Sequence, residues 1–187
     1  MIEIGSVRTI AFGPAEYGEL LEHARRKLSG EYLPGEEAER KAYGLLGGRW
    51  QQDCLQVTHV FPLRGNQRSE PQFRPAIDGL MTEFAVPSET PMERRGWVAH
   101  PDEVGGAEQA CDSAGAMIFG SYHMHRVPWS HDAVRDTCTE LDTRLAEGSG
   151  MWMLILSMVD PDHPVLRAFF EGRNEHEATV CSWPADG

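Results

Sequence analysis

Residues 117–125, with the sequence MIFGSYHMH, decide the fold and carry two histidines separated by one residue. We predict that this stretch is a β-strand. Side chains at positions i and i+2 of a strand point to the same face, so His123 and His125 can reach one metal ion. A carboxylate from the next element would complete a three-ligand site with one open position, which is what distinguishes a catalytic zinc site from a structural one. The stretch therefore indicates a hydrolase.

The segments around this strand predict one domain over residues 1–187, with a mixed β-sheet and helices packed on it. Apolar residues recur at helical spacing over residues 16–28 and again over 130–147, where Ser130 is the expected N-cap. Further strands are expected at 42–50, 51–61, 151–159, 165–170 and 178–183. The proline- and glycine-containing region around 76–110 is expected to be a loop-rich insertion with short helices. The predicted fold class is therefore α+β.

Composition and charge narrow the function classes. The chain has 187 residues, 41% of them hydrophobic and 25% charged, and a net charge of -12. Nucleic acids and anionic membrane surfaces are not expected as partners, because both attract basic proteins. The N-terminus does not resemble a signal peptide, and no apolar run is long enough to span a bilayer. The four cysteines form no C-x-x-C pair, so we expect reduced thiols in a cytoplasmic protein.

The order of motifs resembles the JAMM (MPN+) zinc metalloprotease family. The family pattern is a G-x-L-x-G stretch, then H-x-H, then an Asp eleven residues after the second His. Residues 44–48, GLLGG, correspond to the first motif, His123 and His125 to the second, and Asp136 to the last. The resemblance implies a cytidine-deaminase-like/MPN architecture and one Zn²⁺ held by His123, His125 and Asp136. Asp132 and His131 remain alternatives for the third ligand.

The resemblance also implies a Glu as general base and a Ser that helps to hold the oxyanion. In the usual register these positions are occupied by Lys41 and Ala133. Glu39 lies two residues before Lys41 and would share its face on an extended segment, so Glu39 is the expected base, with Glu36 and Glu37 on the preceding loop as alternatives. Ser130 is the expected hydroxyl. If neither side chain reaches the metal, hydrolysis loses its catalytic groups.

The family cleaves peptide or isopeptide bonds, often after the C-terminal Gly-Gly of a ubiquitin-like or sulfur-carrier protein. The expected partner is therefore such a protein, with its tail bound as an added strand. The alternative is a catalytically impaired MPN-like scaffold or metal-binding module. A homodimer is a further expectation under this alternative.

Overall fold

The computed structural model describes residues 4–88 and 90–183. Within these ranges the chain forms seven strands and four α-helices. In chain order they are β1 (Thr9–Phe12), α1 (Pro14–Ser29), β2 (Tyr43–Gln51), β3 (Cys54–Pro62), α2 (Arg74–Phe84), α3 (Pro101–Ser113), β4 (Met117–His125), α4 (Glu140–Ala146), β5 (Trp152–Ser157), β6 (Val165–Phe170) and β7 (Glu177–Ser182). Short 3₁₀ turns lie at Ile4–Ser6, Gln67–Ser69 and Met92–Arg94.

The strands close into a barrel in the order β1-β3-β2-β4-β5-β6-β7. Closure depends on β1, which runs parallel to both β3 and β7 and joins them. The prediction of a helix-flanked mixed sheet with a cytidine-deaminase-like or MPN architecture is therefore wrong. The physical reason for this difference is that β1 pairs with β7. The sheet therefore closes into a barrel and has no open form that helices could cover on both faces.

Several predicted elements are confirmed, and one helix is wrong. The strands at 117–125 and 165–170 have the predicted bounds, and the helix expected at 16–28 spans Pro14–Ser29. The helix expected over 130–147 is limited to Glu140–Ala146, and residues 130–139 form turns and irregular backbone. The region expected to be loop-rich contains most of α2 and α3.

The two faces of β4 have different roles. Tyr122 and Met124 belong to the largest buried cluster, which includes Leu20 and Ala24 of α1. Because side chains alternate along a strand, His123 and His125 point to the opposite face. On that face, Ile155 of β5 is fully buried with residues of β6 and of the segment from Cys138 to Ala146. The strand thus carries core residues on one face and the histidine pair on the other.

Close packing at Gly44 fixes β2 against β4. A Cβ atom at Gly44 would lie 2.4 Å from the carbonyl oxygen of Phe61 and 2.5 Å from the ring of Tyr122. Only glycine fits at this distance, because real Cβ contacts are never so short. The Tyr122 ring therefore lies directly against the backbone of β2, and its hydroxyl meets Nδ1 of His23 at 2.8 Å.

All four cysteines are free thiols, so no disulfide braces the barrel. Among the described residues, no helix has both the length and the apolar character needed to cross a bilayer.

Candidate metal centre

The histidine pair lies at the C-terminal end of β4, between two hydrogen-bonded neighbours. β2 pairs antiparallel with β4 and places Tyr43 opposite His123, while β5 runs parallel and places Ile155 beside it. The backbone of β4 is therefore held from both sides at the position of the imidazoles. His125 is 7% exposed, and the His123 side chain is 14% exposed.

A carboxylate from α4 completes the cluster. Thr139 is the N-cap of this helix and Asp142 its third residue, and the two form a capping box. One oxygen of Asp142 accepts hydrogen bonds from the Thr139 backbone N–H at 2.7 Å and from its hydroxyl at 2.8 Å. The other oxygen lies 3.4 Å from Nε2 of His123. The capping box that begins α4 thus also orients the Asp142 carboxylate towards the histidines.

The protonation of His125 is set by a backbone carbonyl. Its Nδ1 lies 2.9 Å from the carbonyl oxygen of Arg135. Because a carbonyl only accepts, Nδ1 is the protonated nitrogen and Nε2 keeps a lone pair on the side of His123. Arg135 has a left-handed backbone conformation with φ 54°, which is uncommon for a residue with a side chain. This strained residue supplies the carbonyl that orients His125.

The distances fit a small divalent ion. Nε2 of His123 is 3.1 Å from Nε2 of His125 and 3.4 Å from Oδ1 of Asp142. Ligands bonded tetrahedrally at about 2.0–2.1 Å are about 3.3 Å apart, so these spacings match a zinc-like site. Among the described residues, these side chains form the only group of three or more His, Cys, Asp or Glu whose ligand atoms all lie within 4.8 Å of one another. The donor set fits a metal with an open fourth position.

Burial and charge act on the cluster together. Burial is the main reason why the pKa of His125 falls to about 4, and the adjacent His123 lowers it further. Burial alone would raise the pKa of Asp142, but the hydrogen bond and charge of His123, the charge of His125 and the Thr139 N–H hold it well below its usual range. At neutral pH the cluster therefore presents an imidazole lone pair beside an ionised carboxylate, which are the forms that bind metal.

The cluster opens into a cavity of about 510 Å³. Its walls come from β2, β4, α2, α4 and the segments 85–98 and 126–135, and many of its residues are apolar, including Ile77, Met81, Val86, Trp97, Leu141 and Leu145. A cavity of this size with an apolar lining and a few polar groups is typical of a small-ligand or active site.

The residues expected to supply the third ligand lie elsewhere. Asp136 is 3.3 Å from Arg167 and is not part of the cluster, so Asp142 takes the place predicted for it. Asp132 accepts a hydrogen bond from the Arg135 backbone N–H at 2.8 Å and stabilises a turn. His131 is exposed and stacks on Trp129.

The two expected catalytic side chains are also displaced. Glu39 pairs with Lys41 at 3.2 Å and accepts from Asn66 at 3.3 Å, and it does not line the cavity. Lys41 does line the cavity. It lies two residues before β2, next to Ala42, whose carbonyl accepts a hydrogen bond from the Met124 backbone N–H at 2.9 Å. Ser130 is exposed in a turn and is not the N-cap of α4, because that position belongs to Thr139.

A signal for the missed ligand is present in the sequence. Thr139-x-x-Asp142 is a capping-box pattern, with a hydroxyl residue three positions before the Asp. The spacing from the second histidine is seventeen residues rather than eleven, because the turns around Trp129 and Asp132 lengthen the connection. A search for the hydroxyl-x-x-Asp pair, rather than for a fixed distance from His125, finds Asp142.

No family model and no curated protein matches this chain. Among solved structures, it is similar to a protein from Desulfitobacterium hafniense with a TM-score of 0.61 and 22% identity, over 94% of each chain. A protein from Salinibacter ruber aligns over 95% of this chain and 96% of its own, with a TM-score of 0.47 and 18% identity. The first likeness supports the fold and carries no information on activity.

Proposed function

We propose that this protein is a metal-dependent hydrolase that cleaves a peptide or isopeptide bond, with Zn²⁺ as the expected ion. The observation that carries the proposal is the convergence of His123, His125 and Asp142 at the wall of a large cavity. The proposal rests on this site and on the resemblance of its motifs to the JAMM family. It does not rest on the fold.

The revised third ligand strengthens the resemblance at the site. With Asp142 in place of Asp136, the chain supplies H-x-H, a hydroxyl residue and an Asp three positions later. Thr139 then takes the family position of the Ser, which Ala133 could not fill. Its hydroxyl contacts the carboxylate of Asp142 and also lines the cavity.

When bound, a divalent ion polarises a substrate carbonyl and lowers the pKa of a coordinated water towards ~7. The chain's own residues orient the ligands. The Arg135 carbonyl fixes the tautomer of His125, and Thr139 fixes the carboxylate of Asp142. Lys41 brings a positive charge to the wall of the same cavity, where a developing oxyanion would be stabilised. Lys41 is thus proposed as an electrostatic group, and Glu39 holds its ammonium at 3.2 Å.

The proposed substrate is the Gly-rich C-terminal tail of a ubiquitin-like or sulfur-carrier protein. Addition of this tail as a strand beside the histidines is not available, because β2 and β5 already occupy both sides of β4. The tail would instead enter the cavity and lie across the ends of these strands.

Cleavage of a ubiquitin-like fusion with a Gly-Gly tail tests the proposal. The zinc-loaded protein is expected to release the fused partner after the second glycine, and chelation is expected to stop the reaction until zinc is restored. His123→Gln is expected to be inactive. His59→Gln is the matched control, since His59 is also a strand histidine but lies outside the cluster. Zinc-loaded protein that cleaves no such fusion would reject this substrate assignment.

A metal-binding scaffold is the second candidate function. It is favoured by one observation: in the described part of the chain, Asp142 is the only carboxylate that lines the cavity. No second carboxylate is therefore placed to move a proton. Stoichiometric zinc binding without hydrolysis of any amide substrate is the result expected for this candidate.

A further inference from the structure

The charge on the cavity wall is opposite to that of the whole molecule. The chain has 29 acidic and 17 basic residues, not counting histidine. Among the described residues, the cavity is nevertheless lined by five basic side chains and one acidic one: Lys41, Arg94, Arg95, Arg126 and Arg135 against Asp142. Because Asp142 belongs to the metal centre, the other charged side chains that line the cavity in the described part of the chain are all cationic. An acidic protein with a cationic cavity attracts an anion to that cavity.

Two of these cationic side chains, Arg95 and Arg135, contact other parts of the protein. Arg95 donates to the backbone carbonyls of Val86, Ser88 and Thr90 at 2.7–2.8 Å. Arg135 donates to the Val127 carbonyl at 2.9 Å and lies 3.5 Å over the ring of Trp129. These contacts hold the cavity wall together, and within the described residues Nε of Arg135 is buried without a hydrogen-bond partner.

Arg126 is different, because it follows His125 directly and is half-buried in the wall. Within residues 4–88 and 90–183 its guanidinium makes no hydrogen bond or ion pair. Lys41 lines the same cavity, and its ammonium lies 3.2 Å from a carboxylate oxygen of Glu39 and 3.4 Å from the Gly96 carbonyl oxygen. An anion bound at this part of the wall would supply the partner that the Arg126 guanidinium lacks within the described residues.

We propose that Arg126 and Lys41 form a carboxylate-binding subsite beside the metal centre, so that the group released from the Gly-rich tail carries a carboxylate close to the bond that is cleaved. The planar guanidinium of Arg126 matches a carboxylate with two parallel hydrogen bonds. The apolar wall formed by Ile77, Met81 and Trp97 takes the apolar part of the same molecule. The inference deepens the proposed function by naming this feature of its substrate.

Binding without turnover tests this subsite. The probes are N-acetylphenylalanine, its neutral amide and inorganic phosphate, titrated into the full chain and followed by NMR. We expect the acid to bind at least about tenfold more tightly than the amide, as a charge-assisted hydrogen bond requires. Arg126→Ala is expected to abolish that difference, and Arg126→Lys to keep part of it. The matched control is Arg40→Gln, which removes an exposed positive charge that does not line the cavity.

The preference is expected in zinc-loaded and metal-free protein alike, because the subsite is built from Arg126 and Lys41. A preference that requires zinc would show that the carboxylate binds the ion and would overturn the proposal. Equal binding of acid and amide, no binding of the acid, or an unchanged preference in Arg126→Ala with native circular dichroism would overturn it too. Tighter, Arg126-dependent binding of phosphate than of the acid would reject the carboxylate in favour of a phosphoryl group. Since no result depends on hydrolysis, failure of the fusion-cleavage assay leaves this test intact.

Discussion

Thr139 holds one oxygen of the Asp142 carboxylate through both its backbone N–H and its hydroxyl, while the other oxygen faces the histidines. The capping box of α4 therefore also orients the carboxylate that is proposed to bind the metal. Thr139→Ala is expected to lower the free energy of unfolding by about 1 kcal/mol, as the loss of an N-cap does. It is also expected to weaken zinc binding about tenfold, as the loss of an outer-shell partner does. Competition with a fluorescent zinc chelator measures the second effect.

The matched control for this prediction is Thr139→Ser, which retains the hydroxyl and should preserve both properties. Wild-type zinc affinity in Thr139→Ala would show that the carboxylate does not need this support.

The choice of third ligand gives a second prediction. Asp142→Asn is expected to weaken zinc binding more than about 100-fold, beyond the cost of losing an outer-shell partner, because it removes the only ligand charge. Asp136→Asn should leave zinc affinity unchanged and only release Arg167 from its ion pair. The same competition titration compares the two variants. Loss of zinc binding in Asp136→Asn with retention in Asp142→Asn would restore the ligand expected from the sequence.

A buried ion pair joins α1 to the segment that follows it. Both oxygens of Glu36 accept from Arg26, at 2.6 and 2.7 Å, and Lys27 lies 3.8 Å away. The Glu36 and Lys27 side chains are each 1% exposed. Glu36→Gln is expected to cost about 3 kcal/mol in urea unfolding, because two buried cations lose their counter-charge.

Glu22→Gln is the control for this prediction. Glu22 is 3.3 Å from the same Arg26, but its side chain is 65% exposed. Its removal is expected to cost less than about 0.5 kcal/mol, as is usual for exposed pairs within a helix. Similar costs for the two variants would contradict the importance of burial.

His23 predicts a pH dependence of stability. Burial is the main cause that lowers the pKa of His23 to about 4, whereas an unfolded histidine titrates near ~6.5. Between these values the unfolded state binds more protons, so the free energy of unfolding falls as pH falls from ~6.5 to about 4. Over this window the free energy of unfolding changes by about 3 kcal/mol because of His23, and above the window this stability is fully retained.

Urea unfolding of metal-free protein at several pH values checks this prediction. Because His125 also has a lowered pKa, the comparison is between the wild type and His23→Gln under the same conditions. The difference between their unfolding free energies should shrink or reverse as the solution is acidified through the window. Parallel pH profiles would mean that His23 does not titrate there.

Local patterns predicted much of the secondary structure. The strand at 117–125 and its two histidines follow from a run of residues that is recognisable without tertiary contacts. The prediction of a helix over 130–147 was wrong for its first half. Val134, Cys138 and Leu141 have helical spacing in the sequence, but they do not lie on one helix. Turns formed by Trp129 with Asp132, and a left-handed Arg135, replace the first half of the predicted helix. Tertiary contacts with His125 and Ser157 stabilise that path, and no local pattern encodes them.

Barrel closure was beyond the reach of sequence patterns. β1 has only four residues, and it pairs with β7 about 170 positions later. So short a strand gives no periodicity, and the partner of its edge depends on the curvature of the whole sheet. The two histidines of the site were predicted because both lie on one strand. The carboxylate was not predicted, because Asp142 lies on α4 and the position of this helix depends on the irregular segment that precedes it.

The hydrogen bonding of β4 on both sides has a kinetic consequence. Its amide protons are expected to exchange with solvent only when the barrel opens globally, whereas α4 has seven residues and can open locally. A slowly exchanging strand and a fast-exchanging helix would therefore share the proposed metal ion. Release of the ion is expected to begin at Asp142, and its off-rate should rise at urea concentrations well below those that unfold the barrel.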